Sequence, residues 1–416
     1  MSRLLILAPS GPDSQDLVNA AGRLGHGVFS ASHVTKHSPG DKMDGIADDF
    51  VIDFSSSGAV SQIVDHAVDR RINGIVTTNE FLTPLVTRAC AALSLPGNLV
   101  EFATAPRSKV GMANRFERCG VAMPRTFVVE SEDDLHEIIR KQQLSFPLVV
   151  KPAENAGSKG VSIVSAKNEL PAAFARVQFQ EGTYDIPLDK RVIVQEYVDG
   201  DEYSVESVTQ NGRTRHICVT RKITTAGAFR VEIGHSVPAR LEDALDERIL
   251  GEVSKAIRAV GILNSISHTE VKVRPDGSCA VIEVASRIGA GRIGTLVDLA
   301  LGINLPEATV NVALGVPMSV EPLRSSYATI RLFLCPAGGR LVAVKNMPEV
   351  GDDVPIVTLS REIGSIVSGP ESNKGRIGHF IVTGTDERAV NRRADELSSR
   401  VEITVEPTVA DAGHRT

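Results

Sequence analysis

Over the first hundred residues the apolar positions fall in short runs separated by amphipathic stretches. RLLILA (3–8), the end of AAGRLGHGVFSAS (20–32), DDFVIDF (48–54) and NGIVTTN (73–79) read as strands. One helix ends at Gly25 and another spans 60–70, so strand and helix alternate. Repeated βα units predict a parallel, doubly wound sheet. The turn after the first strand reads PSGPDS rather than GxGxxG, which argues against a dinucleotide site.

The segment RSKVGMANRFERCGVAMP (107–124) predicts a helix from Ser108 that stops at Gly120 and Pro124, with Lys109 in its first turn. A cation there opposes the helix dipole, so Lys109 is paired, solvated or placed to meet an anion. From Thr126 to Val198 the pattern is strand, helix, strand, glycine loop, strand, helix, strand. The loop lies in FPLVVKPAENAGSKGVSIV (146–164), where an apolar run delivers Lys151 into small polar residues around Gly157 and Gly160. Gly and Ser let backbone amides crowd an anion, and a lysine adds a point charge. The loop is either a phosphate-cradling flap or a plain hairpin with a solvated lysine. A second strand follows it where a Walker loop would have a helix.

RVIVQEYV (191–198) leads through a DG turn into a further alternating strand, VDGDEYSVESV. After a mixed stretch to Ala239 come a helix around 250–260 and two strands, HTEVKV and CAVIEVA, joined by a tight RPDG turn. Antiparallel pairing can bring Glu270 and Glu283 to one side of a sheet. Two such carboxylates either face solvent or share a cation such as magnesium, which prefers oxygen ligands. ASRIGAGRIGT then places Arg287 and Arg292 among glycines, a basic loop suited to a phosphate or carboxylate. The region beyond Pro322 carries several short strands and a helix over 386–400 and reads as chemically quiet, with a frayed end, ADAGHRT.

At 416 residues, 42% of them hydrophobic and 23% charged, the chain is too long for one compact core, and two or three domains are expected. A net charge of -6 with both signs mixed, and no basic block, argues against a nucleic-acid partner. Cys90, Cys119, Cys218, Cys279 and Cys335 are scattered and odd in number, so they read as small buried thiols. The apolar run 4–8 is too short for a signal peptide, and no run approaches the roughly twenty residues of a membrane span. A soluble, cytoplasmic protein without a membrane partner is expected.

Lys109, the glycine loop after Lys151, the QEYV strand end and the paired Glu270 and Glu283 resemble, in this order, the ATP-grasp superfamily, over nearly the whole chain. The resemblance implies a multidomain α/β and α+β protein with an ATP-grasp fold. Its parts would be an N-terminal Rossmann-like sheet over 1–106, a linker helix over 107–124, a small lid subdomain over 125–198, a catalytic core over 199–320 and a C-terminal α+β domain over 321–416. It also implies ATP and Mg2+ as cofactors, two ions in number, with Mn2+ as an alternative. Lys109 and Lys151 would contact phosphates under a flap (154–160) that includes Ser158, Lys159 and Gly160. Gln195, Glu196 and Val198 would meet the adenine edge, and Glu202 the ribose. Glu270 and Glu283 would hold magnesium, and Arg287, closing the ExNxR motif, would stabilise the transferred phosphoryl group. EVASR departs from that motif in having Ala285 in place of the usual asparagine, which removes one metal ligand.

Within the superfamily, FRVEIGHSVPA and IEVASRIGAGRIGTLVDLALGINL look most like the L-amino-acid ligase (dipeptide synthetase) branch of carboxylate-amine ligases. That likeness implies ATP-dependent amide formation between a carboxylic or amino acid and an amine, through an acyl phosphate, with release of ADP and phosphate. Glu232 and His235 would line the amino-acid pocket, either one accepting the amine proton, and Arg287, Gly291 and Arg292 would face the acyl phosphate and the substrate carboxylate. A structural role for His235, a bicarbonate- or formate-using ATP-grasp chemistry, and a nucleotide-binding regulatory protein without catalysis remain alternatives. A homodimer is common among similar proteins.

Overall fold

The computed structural model describes residues 1–35, 43–180, 182–227 and 229–408, so the ADAGHRT end lies outside the described residues. The N-terminal region forms a parallel sheet of β1 (Arg3–Leu7), β2 (Gly27–His33), β3 (Ile46–Ile52) and β4 (Gly74–Val76) in the order β3-β2-β1-β4. Its helices are α1 (Gly11–Arg23), α2 (Ala59–Asp69) and α3 (Thr83–Ala92). Leu4 and Ile6 face one helix layer while Leu5 and Leu7 face the other, and all four are fully buried. A strand buried on both faces reads as a continuous apolar run, which is why RLLILA lacks alternation.

Helix α4 (Lys109–Cys119) opens on Ser108, whose hydroxyl accepts from the Gly111 N–H, and closes on Gly120 at φ 63°. The lid follows as β5 (Thr126–Val129), α5 (Glu132–Lys141), β6 (Leu148–Pro152), β7 (Ser162–Val164), α6 (Leu170–Gln178) and β8 (Val192–Glu196), in the sheet order β5-β8-β6-β7. Strands β6 and β7 pair antiparallel, Leu148 with Val164 and Val150 with Ser162, so the glycine loop is the tip of a hairpin.

The remaining chain builds one large antiparallel sheet. Its elements are β9 (Asp201–Gln210), β10 (Arg213–Thr224), β11 (Glu232–Val237), α7 (Asp243–Ala259), β12 (Ser265–Val273), β13 (Cys279–Ala285), α8 (Ile293–Leu301) and α9 (Leu305–Ala313). They are followed by β14 (Tyr327–Leu334), β15 (Gly339–Lys345), β16 (Ile356–Leu359), β17 (Ile366–Val367), β18 (Arg376–Gly384), α10 (Glu387–Arg400) and β19 (Glu402–Glu406). Eight strands run in the order β13-β12-β9-β10-β11-β14-β18-β16, and β17, β15 and β19 form a small separate sheet. The division expected near residue 320 therefore falls within a continuous sheet, because β14 pairs directly with β11. Gly200 takes the chain from the lid into this sheet at φ 126°; a Cβ there would lie 1.9 Å from the Val273 carbonyl oxygen, so only glycine fits.

Helix α7 begins before the expected 250–260 stretch and lays Ile249, Val253, Ala256 and Ile257 on the sheet in an i, i+4, i+7, i+8 stripe. Burying each isoleucine there contributes about 1.5–3 kcal/mol. Strands β10 and β11 lie in the stretch that the sequence pattern left mixed. Each of them departs from regular pairing: the β10 register shifts between His216 and Cys218, and the β10–β11 register between Ile223 and Thr224. Four of the five cysteines are buried thiols, but Cys119 is exposed at the end of α4. Among the described residues no single helix is long and apolar enough to cross a membrane.

Candidate active site

The site is built where the lid, α4 and the large sheet meet. The β12–β13 hairpin turns on Gly277 (φ 76°), with the Asp276 carboxylate accepting from the Ser278 N–H at 2.8 Å. This turn sets a register in which Glu270 stands directly opposite Glu283. Both side chains face a cavity of about 210 Å³. Lys109, at the first position of α4, donates to the Asn155 carbonyl at 3.0 Å and pairs with Glu283 at 3.2 Å. Of the three expectations for Lys109, pairing is what the fold provides. Burial would lower its pKa, but Glu283 and Glu80 outweigh that and raise it.

Lys151 lies at the base of the flap hairpin and donates to Gln195 Oε1 at 2.9 Å, while Gln195 Nε2 donates to Thr126 at 2.7 Å. Burial, and then the neighbouring Lys109, lower the Lys151 pKa to about 8. Gln195 lines the cavity, and each end of its amide keeps a second hydrogen-bonding position beyond these partners. Glu196 and Val198 line the cavity, although the Glu196 N–H is bonded to the Arg125 carbonyl and the Val198 carbonyl accepts from Lys272. Ser158 and Lys159 also line it, with Gly160 just outside. The Ser158 hydroxyl donates to the Arg230 carbonyl at 3.1 Å, so the flap rests against the segment before β11. Gly157, Ser158 and Gly160 all have left-handed φ values, which turn the loop sharply enough to close on itself.

Lys222 was not anticipated. It projects from β10 with its side chain 1% exposed and is surrounded by three carboxylates: Glu232 at 2.6 Å, Glu202 at 3.3 Å and Glu270 in direct hydrogen bond. Burial alone would lower its pKa, but the three carboxylates hold it well above the ordinary lysine value. Glu202 meets the cavity through this pair. Burial would likewise raise the Glu270 and Glu232 pKa values; Lys222 in both cases, with His268 for Glu270 and His235 and Arg376 for Glu232, holds them well below the carboxylate range. The His268 Nδ1–H donates to the buried Glu206 carboxylate at 2.9 Å, and that carboxylate overcomes burial to raise the His268 pKa to about 9.

Arg287 lines the cavity and is paired with Glu80 from the turn after β4, another residue not anticipated. Asn79 caps that turn by accepting from the Phe81 N–H, so NEFLTP carried a helix-start signal but none for a charge facing Arg287. The region read as chemically quiet also reaches the site. Asn373 lines the cavity beside Gly157, and Arg376 donates to Glu232 at 2.7 Å.

Three expected residues stand elsewhere. His235 is completely buried and off the cavity, because β11 turns it beneath the loop at Gly291, where a Cβ would lie 2.6 Å from its Nε2. Burial lowers its pKa to about 4, and neither ring nitrogen has a hydrogen-bond partner. Gly291 is therefore a close-packing glycine at φ 72°. Arg292 turns away from the cavity toward α1 and pairs with Asp13 and Asp16, each at 2.9 Å, which joins the basic loop to the N-terminal sheet.

Among the described residues no group of three or more His, Cys, Asp or Glu is placed to hold a metal by itself. Glu270 and Glu283 supply two hard oxygen donors, and Ala285, two residues on, supplies none. Burial raises the Glu283 pKa despite the neighbouring Lys109, with Glu80 and Glu270 adding to the rise, and a divalent cation at the carboxylate would favour its ionised form. The pair fits a magnesium ion completed by phosphate oxygens and water.

Family profiles match an ATP-grasp N-terminal domain at residues 18–97, an ATP-grasp domain at 144–296 and an L-amino acid ligase C-terminal domain 2 at 331–406. The chain is similar to an alanine--anticapsin ligase of Bacillus subtilis, 25% identical over 61% of this chain and 56% of that protein. It is also 30% identical to a D-alanine--D-alanine ligase of Pelobacter propionicus over 44% of this chain and 59% of the other. The chain thus spans about half the length of the curated relatives it matches. In fold it resembles the L-amino acid ligase from Bacillus licheniformis, with a TM-score of 0.84 at 22% identity, covering 98% of this chain and 99% of that one. The phosphoribosylglycinamide synthetase of Anaerococcus prevotii shares the fold with a TM-score of 0.73 at 22% identity over 97% of this chain and 100% of the other.

Proposed function

We propose, from the premise that the chain belongs to the ATP-grasp superfamily and is most like its L-amino acid ligases, that it joins a carboxylic or amino acid to an amine at the expense of ATP. The observation that carries this reading is the placement of Glu270 opposite Glu283 in one cavity with Lys109, Lys151 and Arg287. A carboxylate is too poor an electrophile to acylate an amine in water. Its oxygen attacks the γ-phosphorus, the bond from that phosphorus to the bridging oxygen breaks, and an acyl phosphate and ADP result. The amine lone pair then forms the C–N bond, and the acyl C–O bond breaks to release phosphate, which takes the surplus proton.

Lys109 and Lys151 would bind the phosphates beneath the flap, and the backbone amides around Ser158, Lys159 and Gly160 would follow as it closes. Glu196 and Val198 lie where the base would rest, against Val149 and Ile163. Glu270 and Glu283 would hold magnesium, which supplies charge neutralisation at the transferred phosphoryl group; two ions would share these carboxylates with phosphate and water. Arg287 would take up charge developing at the phosphoryl oxygens. Lys222 stands within reach of both Glu202 and Glu270, so a nucleotide that drew either carboxylate away would leave its ammonium for a phosphate. Glu232 is held as an anion by Lys222 and Arg376, which suits it to accept hydrogen bonds from the amine. The flap, touching Asn373 and Arg230, would exclude water from the acyl phosphate.

The test is phosphate release from ATP and magnesium across a matrix of single amino acids and pairs, with mass spectrometry of each positive mixture. Release that needs two partners, with a product lighter than their sum by one water, supports the ligase. Release with bicarbonate or a single acid as sole partner would replace it with another ATP-grasp chemistry.

A further inference from the structure

Between α6 and β8 the lid sends a loop across to the N-terminal sheet. Tyr184, in this loop, is 7% exposed and joins the core that holds Leu5, Phe50 and Leu82. Its ring meets those of His33 and Phe54 edge-on, with centroids 5.5 and 5.7 Å away. Beside it, His33 Nδ1 accepts from the Phe54 N–H at 3.2 Å, which leaves Nε2 to donate to Asp185 at 3.1 Å. Tyr184 and Asp185 both hold left-handed backbone, at φ 59° and 54°, a conformation that a tyrosine keeps only where its surroundings enforce it. The loop is shaped by its docking.

The docked loop reaches the active site through one short turn, in which three consecutive residues each hold a different partner. The Asn79 amide donates to the Tyr184 hydroxyl at 3.4 Å and, through its oxygen, caps the turn by accepting from the Phe81 N–H at 3.0 Å. Glu80 pairs with Arg287. The Arg107 guanidinium lies 4.7 Å from the centre of the Phe81 ring, and Arg107 pairs with Glu154 of the flap at 3.1 Å. Glu154 also accepts from the Asp189 N–H at 3.3 Å, which returns the chain of contacts to the lid. Glu80 therefore stands between two ties to the lid, made by the residues on either side of it. Moving the lid off the N-terminal sheet breaks both and frees the turn.

We propose that Tyr184 is a positioning residue, which acts through Asn79 to hold Glu80 against Arg287 only while the lid rests on the N-terminal sheet. Phosphoryl transfer then depends on the same closure that shuts water out. This inference rests on the role given to Arg287 in the ligase reading above and adds the link between lid and arginine.

The test is hydrogen exchange read by mass spectrometry on the full chain with magnesium and a non-hydrolysable ATP analogue, for the parent, Tyr184→Phe and Arg107→Met. Tyr184→Phe keeps the docked ring and loses only the hydroxyl. It should raise exchange at Phe81 and Leu82 about threefold or more, loosen the segment 286–290, and leave β1 and β2 at the parental rate. Arg107→Met cuts the second tie, should have the same effect, and serves if Tyr184→Phe does not fold. With the acid and amine found in the matrix above, ADP formation should fall at least about threefold in either variant while calorimetric affinity for the analogue stays within about twofold. Exchange at the turn unchanged in both variants, exchange raised evenly across the N-terminal sheet, or turnover unchanged while the turn loosens would overturn the coupling. A parent that forms no ADP with any mixture would overturn the ligase reading instead, and exchange at the turn and at 286–290 would still decide whether Tyr184 holds them.

Discussion

Replacing Lys222 by methionine keeps the apolar stem of the side chain and removes its charge. In the folded protein that ammonium is 1% exposed and is the shared partner of Glu202, Glu232 and Glu270. Removing one side of a buried ion pair costs about 3–5 kcal/mol, because the remaining charges stay desolvated. Each kcal/mol lowers the melting temperature of a domain of roughly 200 residues by about 2–4 °C, so the core should melt about 6–20 °C earlier. The pH dependence has a definite sign. Glu232 and Glu270 have folded pKa values held well below the ordinary one, chiefly by Lys222 acting against burial, so their contribution is present above about pH 4.3 and lost as pH falls through the folded values. In Lys222→Met the carboxylates lose that hold and protonate more readily on acidification. The deficit should be greatest near neutrality and narrow toward about pH 5. Calorimetric scans of both proteins at about pH 7.5 and about pH 5, with and without millimolar magnesium, measure it. Magnesium should restore more of the melting temperature in the variant than in the parent. A loss below about 3 °C near neutrality, or an equal loss at both pH values, would refute the idea that Lys222 balances three buried charges.

Other outcomes follow from the same site. Lys151→Ala and Glu283→Ala should each abolish ADP formation while circular dichroism stays that of the parent; normal turnover by either would remove that residue from the phosphate or metal site. Since burial lowers the Lys151 pKa to about 8, it is increasingly neutral above that pH in the free protein, and phosphate binding must recharge it. ADP affinity should therefore fall as pH rises through about 8 with proton uptake on binding, measurable by calorimetry in buffers of different ionisation heat; Lys151→Met should show neither. Arg287→Ala should lower kcat far more than nucleotide affinity, and a pure affinity loss would make it a ground-state contact. Gly291→Ala should destabilise by about 1–3 kcal/mol in denaturant unfolding, since it combines a left-handed φ with a Cβ driven onto His235.

Legibility in the sequence tracked the range of the forces involved. The flap hairpin and the β12–β13 hairpin were readable because alternation, turn chemistry and glycine placement act within about twenty residues. The same local signals set Glu270 and Glu283 face to face. Strand β10 was not readable, since its register shifts near His216 break the alternation, and Lys222 was hidden with it. Glu80 and Arg376 gave no signal because their partners, Arg287 and Glu232, lie 207 and 144 residues away. His235 and Arg292 were misplaced for a related reason. Residue type and nearby motif suggested the cavity, while strand facing and the approach of α1 directed them elsewhere.

What the sequence determined by itself was the set of local devices: a parallel βα unit, a capped helix presenting Lys109, a glycine hairpin behind Lys151, and a strand pair carrying two carboxylates. Only the tertiary structure decided which charges neutralise one another. Sheet order brought β10 beside β9 and β11 and so placed Lys222 among three carboxylates. Hydrophobic periodicity acts over one element and is written in consecutive residues, whereas the pairing of buried charges depends on distances that exist only once the sheets have closed.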